Sequence, residues 1–193
     1  MKLVILNYGV GNIKSIQFAF DRLGVTAVLS SDAEEIKAAD KIIFPGVGEA
    51  SSAMKKLREV GLEDVITKLN QPVLGICLGM QLMCSKLEEG NTIGLGIFDV
   101  AVKRFSTSVK VPQMGWNTIT NLKSRLFEDI SDKEYMYLVH SYYVEENENT
   151  IATTYYELPY ASAIQKDNFY GVQFHPEKSG KLGERILLNF LNL

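Results

Sequence analysis

The sequence has few of the residues that simple site chemistries rely on. Its 193 residues include two cysteines, Cys77 and Cys84, two histidines, His140 and His175, and one tryptophan. No Cys-x-x-Cys or His-Glu-x-x-His spacing occurs, so a zinc site has no support and no metal or cofactor is signalled. No stretch approaches the roughly 18 uninterrupted apolar residues of a membrane span. The apolar run ending at Leu6 is too short for a secretion signal, and a cytosolic chain is expected. The 20 Lys and Arg are scattered among 23 Asp and Glu for a formal net charge of -3, leaving no basic patch for nucleic acid or an anionic membrane. The helical pattern after residue 77 places Cys77 and Cys84 on one helix, about 10.5 Å apart along its axis. A disulfide between them is excluded, since it needs Cα atoms within roughly 7 Å, and Cys84 reads as core.

What is present is an ordinary core-forming composition, 46% hydrophobic and 22% charged, in a chain of single-domain length (residues 1–193). Strand and helix patterns alternate in the first part. Lys2–Leu6 is an apolar run, and Ile13, Ile16, Phe20 and Leu23 then recur at helical spacing up to a stop at Gly24. Val25–Ser30 is a second strand, followed by Ser31-Asp32-Ala33-Glu34, which reads as a capping box. Lys41–Phe44 and Pro72–Ile76 are further strands, with helical stretches between them from Ala53 to Val60 and from Leu62 to Leu69. None of these runs alternates with polar residues, as befits parallel strands covered on both faces. From about Ile93 the chain turns β-rich, with strands expected at 97–105, 135–144, 151–156, 161–165 and 170–174 and a closing helix over 182–193. The fold class is α/β, a mostly parallel sheet flanked by helices with a β-rich second half.

Gly75-Ile76-Cys77-Leu78-Gly79 follows a strand and opens a helix, the pattern of a nucleophile elbow with cysteine at its centre. Flanking glycines permit close backbone passage, the helix start favours thiolate, and the Leu78 N–H would face a developing oxyanion. A small buried cysteine at a glycine-rich turn would give the same local pattern. A cysteine nucleophile needs a base and an orienting group. Gln173-Phe174-His175-Pro176-Glu177 supplies both, with His175 and Glu177 on the same side if the chain is extended there. His140 ends an apolar run and is the weaker candidate for the base. Pro45-Gly46-Val47-Gly48 follows a strand in the same half and could present a second oxyanion donor, although alone it also suits an ordinary strand-to-helix loop.

These three elements, in this order and across nearly the whole chain, resemble the class I glutamine amidotransferases. Finer features, Asn7-Tyr8-Gly9-Val10-Gly11-Asn12, the valine of Pro45-Gly46-Val47-Gly48, Pro112-Gln113-Met114-Gly115-Trp116-Asn117 and His140-Ser141-Tyr142, are similar to the glutaminase subunits of imidazole glycerol phosphate synthases. Many relatives carry Asp in place of Asn7 and His in place of Gln113. The resemblance implies a flavodoxin-like fold and glutamine hydrolysis through a thioester on Cys77, with His175 shuttling the proton and Glu177 orienting it. It implies an oxyanion held by the N–H groups of Leu78 and Val47. Gly48, Gln81, Glu89, Ser141 and Tyr142 would hold the amino-acid end of glutamine, and no cofactor would be needed. It further implies a (β/α)8-barrel cyclase as partner, in histidine biosynthesis, with Asn12, Trp116, Asn117, Tyr137 and Lys178 at the interface. Three other expectations share the motifs: a glutaminase serving another synthase, such as one amidating a sugar; a non-catalytic subunit of the same fold; and a stand-alone cysteine hydrolase.

Overall fold

The computed structural model describes residues 1–193. Its first half runs β1 (Leu3–Leu6), α1 (Ile13–Arg22), β2 (Ala27–Ser30), α2 (Ala33–Lys37), β3 (Lys41–Phe44), α3 (Ala50–Glu59), α4 (Glu63–Ile66) and β4 (Val73–Ile76). The four strands lie in the order β2-β1-β3-β4, all parallel. Successive strand residues point to opposite faces. Val4 and Leu6 accordingly enter one core cluster with Ile42 and Phe44, while Leu3 and Ile5 enter the other with Ile43. The two clusters hold 27 and 25 buried residues, so both faces are covered about equally and neither tolerates a polar alternation. Each fully buried Leu or Ile contributes roughly 1.5–3 kcal/mol to this packing.

The cap of α2 lies one residue later than the expected capping box. Asp32, not Ser31, is the cap, its Oδ1 accepting the Glu35 N–H at 2.7 Å while Ser30 Oγ accepts the Asp32 N–H at 3.1 Å. A charged carboxylate is the stronger acceptor, and it fixes the helix start.

The second half departs further from the periodicity. It comprises α5 (Leu78–Leu82), β5 (Cys84–Leu87), β6 (Thr92–Ile93), β7 (Phe98–Arg104), β8 (Gln113–Ile119), β9 (Glu134–His140), β10 (Tyr142–Val144), β11 (Thr150–Tyr156), β12 (Leu158–Lys166), β13 (Phe169–Val172) and α6 (Gly180–Leu191). Cys84 is buried but opens a strand; it does not continue the helix of Cys77. The helix stops because the Leu82 and Met83 carbonyls accept from Leu95 and Phe98 N–H at 2.8 and 3.1 Å, so tertiary pairing takes its last acceptors. The run expected as one strand over 135–144 is two strands broken at Ser141. β9 pairs with β8 in a separate antiparallel ribbon, whereas β10 lies between β12 and β7 in the main sheet.

The main sheet continues from β4 through β13, β12, β10, β7, β5 and β6, with β11 against β12. β13 is parallel to β4 and β12 is antiparallel to β13. The loops after β3, β4 and β13 all leave the same end of parallel strands, the end where open α/β sheets carry their sites. No helix is long and apolar enough to cross a membrane.

Candidate active site

Cys77 sits where β4 becomes α5. Its N–H still bonds the Val172 carbonyl of β13 at 2.8 Å, but its backbone has turned to φ 53°, ψ −110°. A positive φ at a non-glycine residue costs of order 1–3 kcal/mol and persists only where the surroundings impose it. Here two glycines impose it. A Cβ on Gly79 would stand 2.0 Å from the Phe44 carbonyl oxygen, and one on Gly75 would stand 2.8 Å from Met80 N. The helix therefore folds back tightly over β3 and β4, with the cysteine at the bend.

His175 and Glu177 arrive from the segment after β13. The sequence led us to expect an extended chain here, but Pro176–Lys178 forms a single 3-10 turn. Proline is favoured at the first position of such a turn because its missing N–H needs no partner there. The turn still brings the side chains together, His175 Nδ1 lying 2.8 Å from Glu177 Oε1. Both are buried, at 4% and 1% side-chain exposure. The other Glu177 oxygen has no partner, so the imidazole is the one group neutralising this desolvated carboxylate. Burial pulls the His175 pKa down, but hydrogen bonds from the ring to Cys77 and Glu177 and the negative charges of those groups outweigh it and push it up to about 10. With Nδ1 committed to Glu177, Nε2 is the nitrogen left for the sulfur.

These side chains open on a cleft of about 310 Å³ lined by Val47, Gly48, Cys77, Leu78, Gln81, Glu89, Ser141, Tyr142, His175 and Lys178, together with Pro112, Val139 and His140. It thus gathers both expected oxyanion residues and all five expected glutamine-binding residues. Gly46, Val47 and Gly48 donate no backbone hydrogen bond within the chain, which leaves their N–H groups free. That loop is tied down beside them, the Tyr8 hydroxyl donating to the Pro45 carbonyl at 2.6 Å. Glu89 also has a structural task, accepting the Ala50 N–H at 2.9 Å at the start of α3, and burial raises its pKa. Ser141 reaches the cleft because the chain changes sheets there.

His140 is buried too but is not placed as a base. Its Nδ1 lies 2.7 Å from the Tyr142 carbonyl, which can only accept, so Nδ1 carries the proton. Nε2 is 3.2 Å from the Tyr160 hydroxyl, which lies 2.9 Å from Gln113 Oε1 and has one proton for two acceptors. Burial lowers the pKa of His140 to about 4.

Of the expected interface residues, Trp116 and Tyr137 meet edge to face with centroids 6.1 Å apart, and Lys178 Nζ stands 5.9 Å over the Tyr137 ring. Trp116 is 55% exposed, so it is no core anchor. Asn117 Nδ2 donates to the Tyr155 carbonyl, and Asn12 begins α1 with no side-chain capping bond. Two residues were missed from sequence. Tyr8 carried no signal beyond its loop, but Gln173 lies two residues before His175 in an extended segment, and that spacing could have placed it on the same side.

The family model for the class I glutamine amidotransferases matches residues 4–193. The chain is 58% identical to imidazole glycerol phosphate synthase subunit HisH of Bacteroides fragilis, with all of both chains covered. It is 47% identical to the subunit of the same name from Haemophilus influenzae, over 99% of this chain and 97% of that one. Among solved structures, a glutamine amidotransferase superposes with TM-score 0.77 at 20% identity, covering 98% of this chain and 97% of the other. PurLQS from Thermotoga maritima gives 0.73 at 16%, covering 99% and 97%. With a full-length family match and relatives this similar, the chain belongs to the class I glutamine amidotransferase family.

Proposed function

We infer that residues 1–193 form one glutaminase domain, the ammonia-producing subunit of an imidazole glycerol phosphate synthase. The observation that carries the site assignment is the 2.8 Å contact of His175 Nδ1 with Glu177 Oε1 in the cleft that holds Cys77 at its elbow. In this reading the Cys77 thiolate attacks the side-chain carboxamide carbon of glutamine. The oxyanion forms beside the Leu78 and Val47 N–H groups, the group of donors that contributes most in acyl transfer. Imidazolium Nε2–H protonates the departing nitrogen, releasing ammonia and leaving a thioester. Neutral His175 then takes a proton from water, whose oxygen attacks the thioester; glutamate leaves and the sulfur is restored. Glu177 holds the ring in the orientation both steps need and balances its charge. Gly48, Gln81, Glu89, Ser141 and Tyr142 hold the amino-acid end of the substrate, Glu89 facing its ammonium and the Ser141 hydroxyl its carboxylate.

Ammonia released into neutral water would be protonated and lost as a nucleophile, so this chemistry calls for a partner docked over the cleft. A (β/α)8-barrel cyclase subunit is that partner, and histidine biosynthesis in the cytosol is the setting. Pro112 supports this placement, because it lines both the cleft and an adjoining cavity of about 280 Å³ that Trp116 and Asn117 also line. Exposed Met114, Trp116 and Tyr135 lie on the same ribbon, an apolar surface suited to a protein contact. Asn12, Tyr137 and Lys178 complete the proposed interface.

The test is glutamate release from glutamine by the purified chain, alone and with the barrel cyclase and its ribonucleotide ligand. Low activity alone that rises sharply in the mixture, and is lost in Cys77→Ala with partner binding retained, supports the reading. Trp116→Ala should blunt that rise without lowering Tm. Activity on other amides without a partner would favour the stand-alone hydrolase, and no rise with this cyclase would point to a different synthase or a silent subunit.

A further inference from the structure

One buried side chain outside the triad touches the sulfur. Gln173 is 0% exposed just beyond the end of β13, and its Nε2 lies 3.6 Å from Cys77 Sγ. The orientation of this amide follows from its neighbours. The Tyr142 carbonyl can only accept, so Gln81 presents Nε2 to it, at 3.0 Å. The second hydrogen on the same nitrogen meets Gln173 Oε1 at 2.8 Å. Gln173 therefore faces the sulfur with its NH2 group, a donor with no lone pair to offer.

We propose that Gln173 is a further catalytic residue, its amide N–H donating to the Cys77 thiolate and holding the charged sulfur in place for attack. The proposal deepens the glutaminase reading and rests on Cys77 being the nucleophile. The sulfur's surroundings show why a donor is needed. The Val139 carbonyl, 3.9 Å from Sγ, can accept from a thiol but repels a thiolate. A hydrogen bond to an ionised acceptor is roughly twice as strong as one between neutral groups, and burial strengthens it further. The donor therefore opposes the repulsion that the Val139 carbonyl would exert on a charged sulfur. The chain from the Tyr142 carbonyl through Gln81 and Gln173 to the sulfur also joins a cleft-lining residue to the nucleophile. Gln81 Nε2 gives one hydrogen to the Tyr142 carbonyl and the other to Gln173 Oε1, and the second of these polarises the Gln173 amide so that its N–H is the stronger donor to the sulfur. The titratable groups around the sulfur are His175, backed by Glu177, together with Tyr8 and Tyr160, while His140, Glu89 and Lys178 stand on the cleft wall.

The experiment is the rate of Cys77 alkylation by iodoacetamide from about pH 5 to about pH 9, followed by peptide mass spectrometry on the native chain and on Gln173→Leu. Buried Cys84 serves as the internal control for an intact fold. The expected result is labelling slowed about tenfold near pH 6, a profile displaced to higher pH, and Cys84 unlabelled. A Gln173→Leu profile that superposes on the native one, with Cys84 still protected, overturns the proposal. If Leu exposes Cys84, Gln173→Met keeps the volume without the donor and is read by the same two outcomes. A native chain whose Cys77 reacts no faster near pH 6 than an ordinary free thiol overturns the nucleophile itself, and is thereby distinct from a failure at Gln173 alone.

Discussion

The two histidine-bearing regions of the molecule are both buried, with His175 at 3% exposure and His140 at 6%, yet they push the same side chain in opposite directions. Around His175 a carboxylate and a thiolate reverse the burial penalty and favour the charged ring. Around His140 the hydrogen-bonded groups are a carbonyl and a phenol, the latter backed by an amide, none of them charged; burial prevails over the Tyr142 carbonyl, and the charge of His175 lowers the pKa further. What makes a histidine useful for proton transfer here is its partner set and not its depth. The His140 network instead holds the Ser141–Tyr142 wall of the cleft, which connects the two regions.

The largest expected effect separates them by function. His175→Asn should lower partner-stimulated glutamine hydrolysis by at least about a thousandfold, the scale of losing a base shared with a nucleophile. His140→Asn should retain most of the activity and lose about 1–3 kcal/mol of unfolding free energy in urea, because it removes a buried hydrogen-bond partner. A near-equal loss of turnover in both would erase the distinction. Glu177→Gln comes next. The amide can still touch Nδ1 but no longer balances the imidazolium, so kcat should fall roughly 10²- to 10⁴-fold with KM little changed.

Stability against pH gives a smaller effect that reads both regions at once. His175 is raised in the fold from 6.5 to about 10, so its contribution is complete below about pH 6.5 and is lost as pH rises toward 10. His140 is lowered from 6.5 to about 4, so the folded chain binds fewer protons than the unfolded chain between those values, and stability is lost as pH falls from 6.5 through 4. The urea midpoint should therefore peak near pH 6.5. His175→Asn should flatten its alkaline side between 6.5 and 9, the ordinary pKa of the buried Cys84 thiol, above which burial of that thiol adds to the decline. His140→Asn should flatten the acid side. A midpoint that rises steadily through pH 9 would contradict the assignment at His175.

The two halves of the fold were not equally legible in the sequence. Leu3 to Ile76 form local β-α units whose apolar runs belong to strands covered on both faces, and the pattern and structure agree there to within a residue or two at most boundaries. After Leu78 the pairing is tertiary. The helix of Cys77 ends where Leu95 and Phe98 claim its carbonyls, so nothing local marked Cys84 as a strand residue. β8 carried Gln, Gly and Asn in an exposed ribbon and offered no apolar run to read. The candidate site was more legible than its surroundings, because an elbow glycine pair and a His-Pro-Glu turn are local necessities. Gln173 and Tyr8 were less so, since each contacts a residue far away in the chain.

The most direct measurement is a nitrogen-15 NMR titration of the two imidazoles in the native chain. The predicted result is a His175 ring that stays protonated through about pH 8 and a His140 ring that stays neutral, with its proton on Nδ1, down to about pH 5. Two rings titrating together near the ordinary value, or a charged His140 beside a neutral His175, would contradict the assignment of His175 as the proton-bearing partner of Cys77.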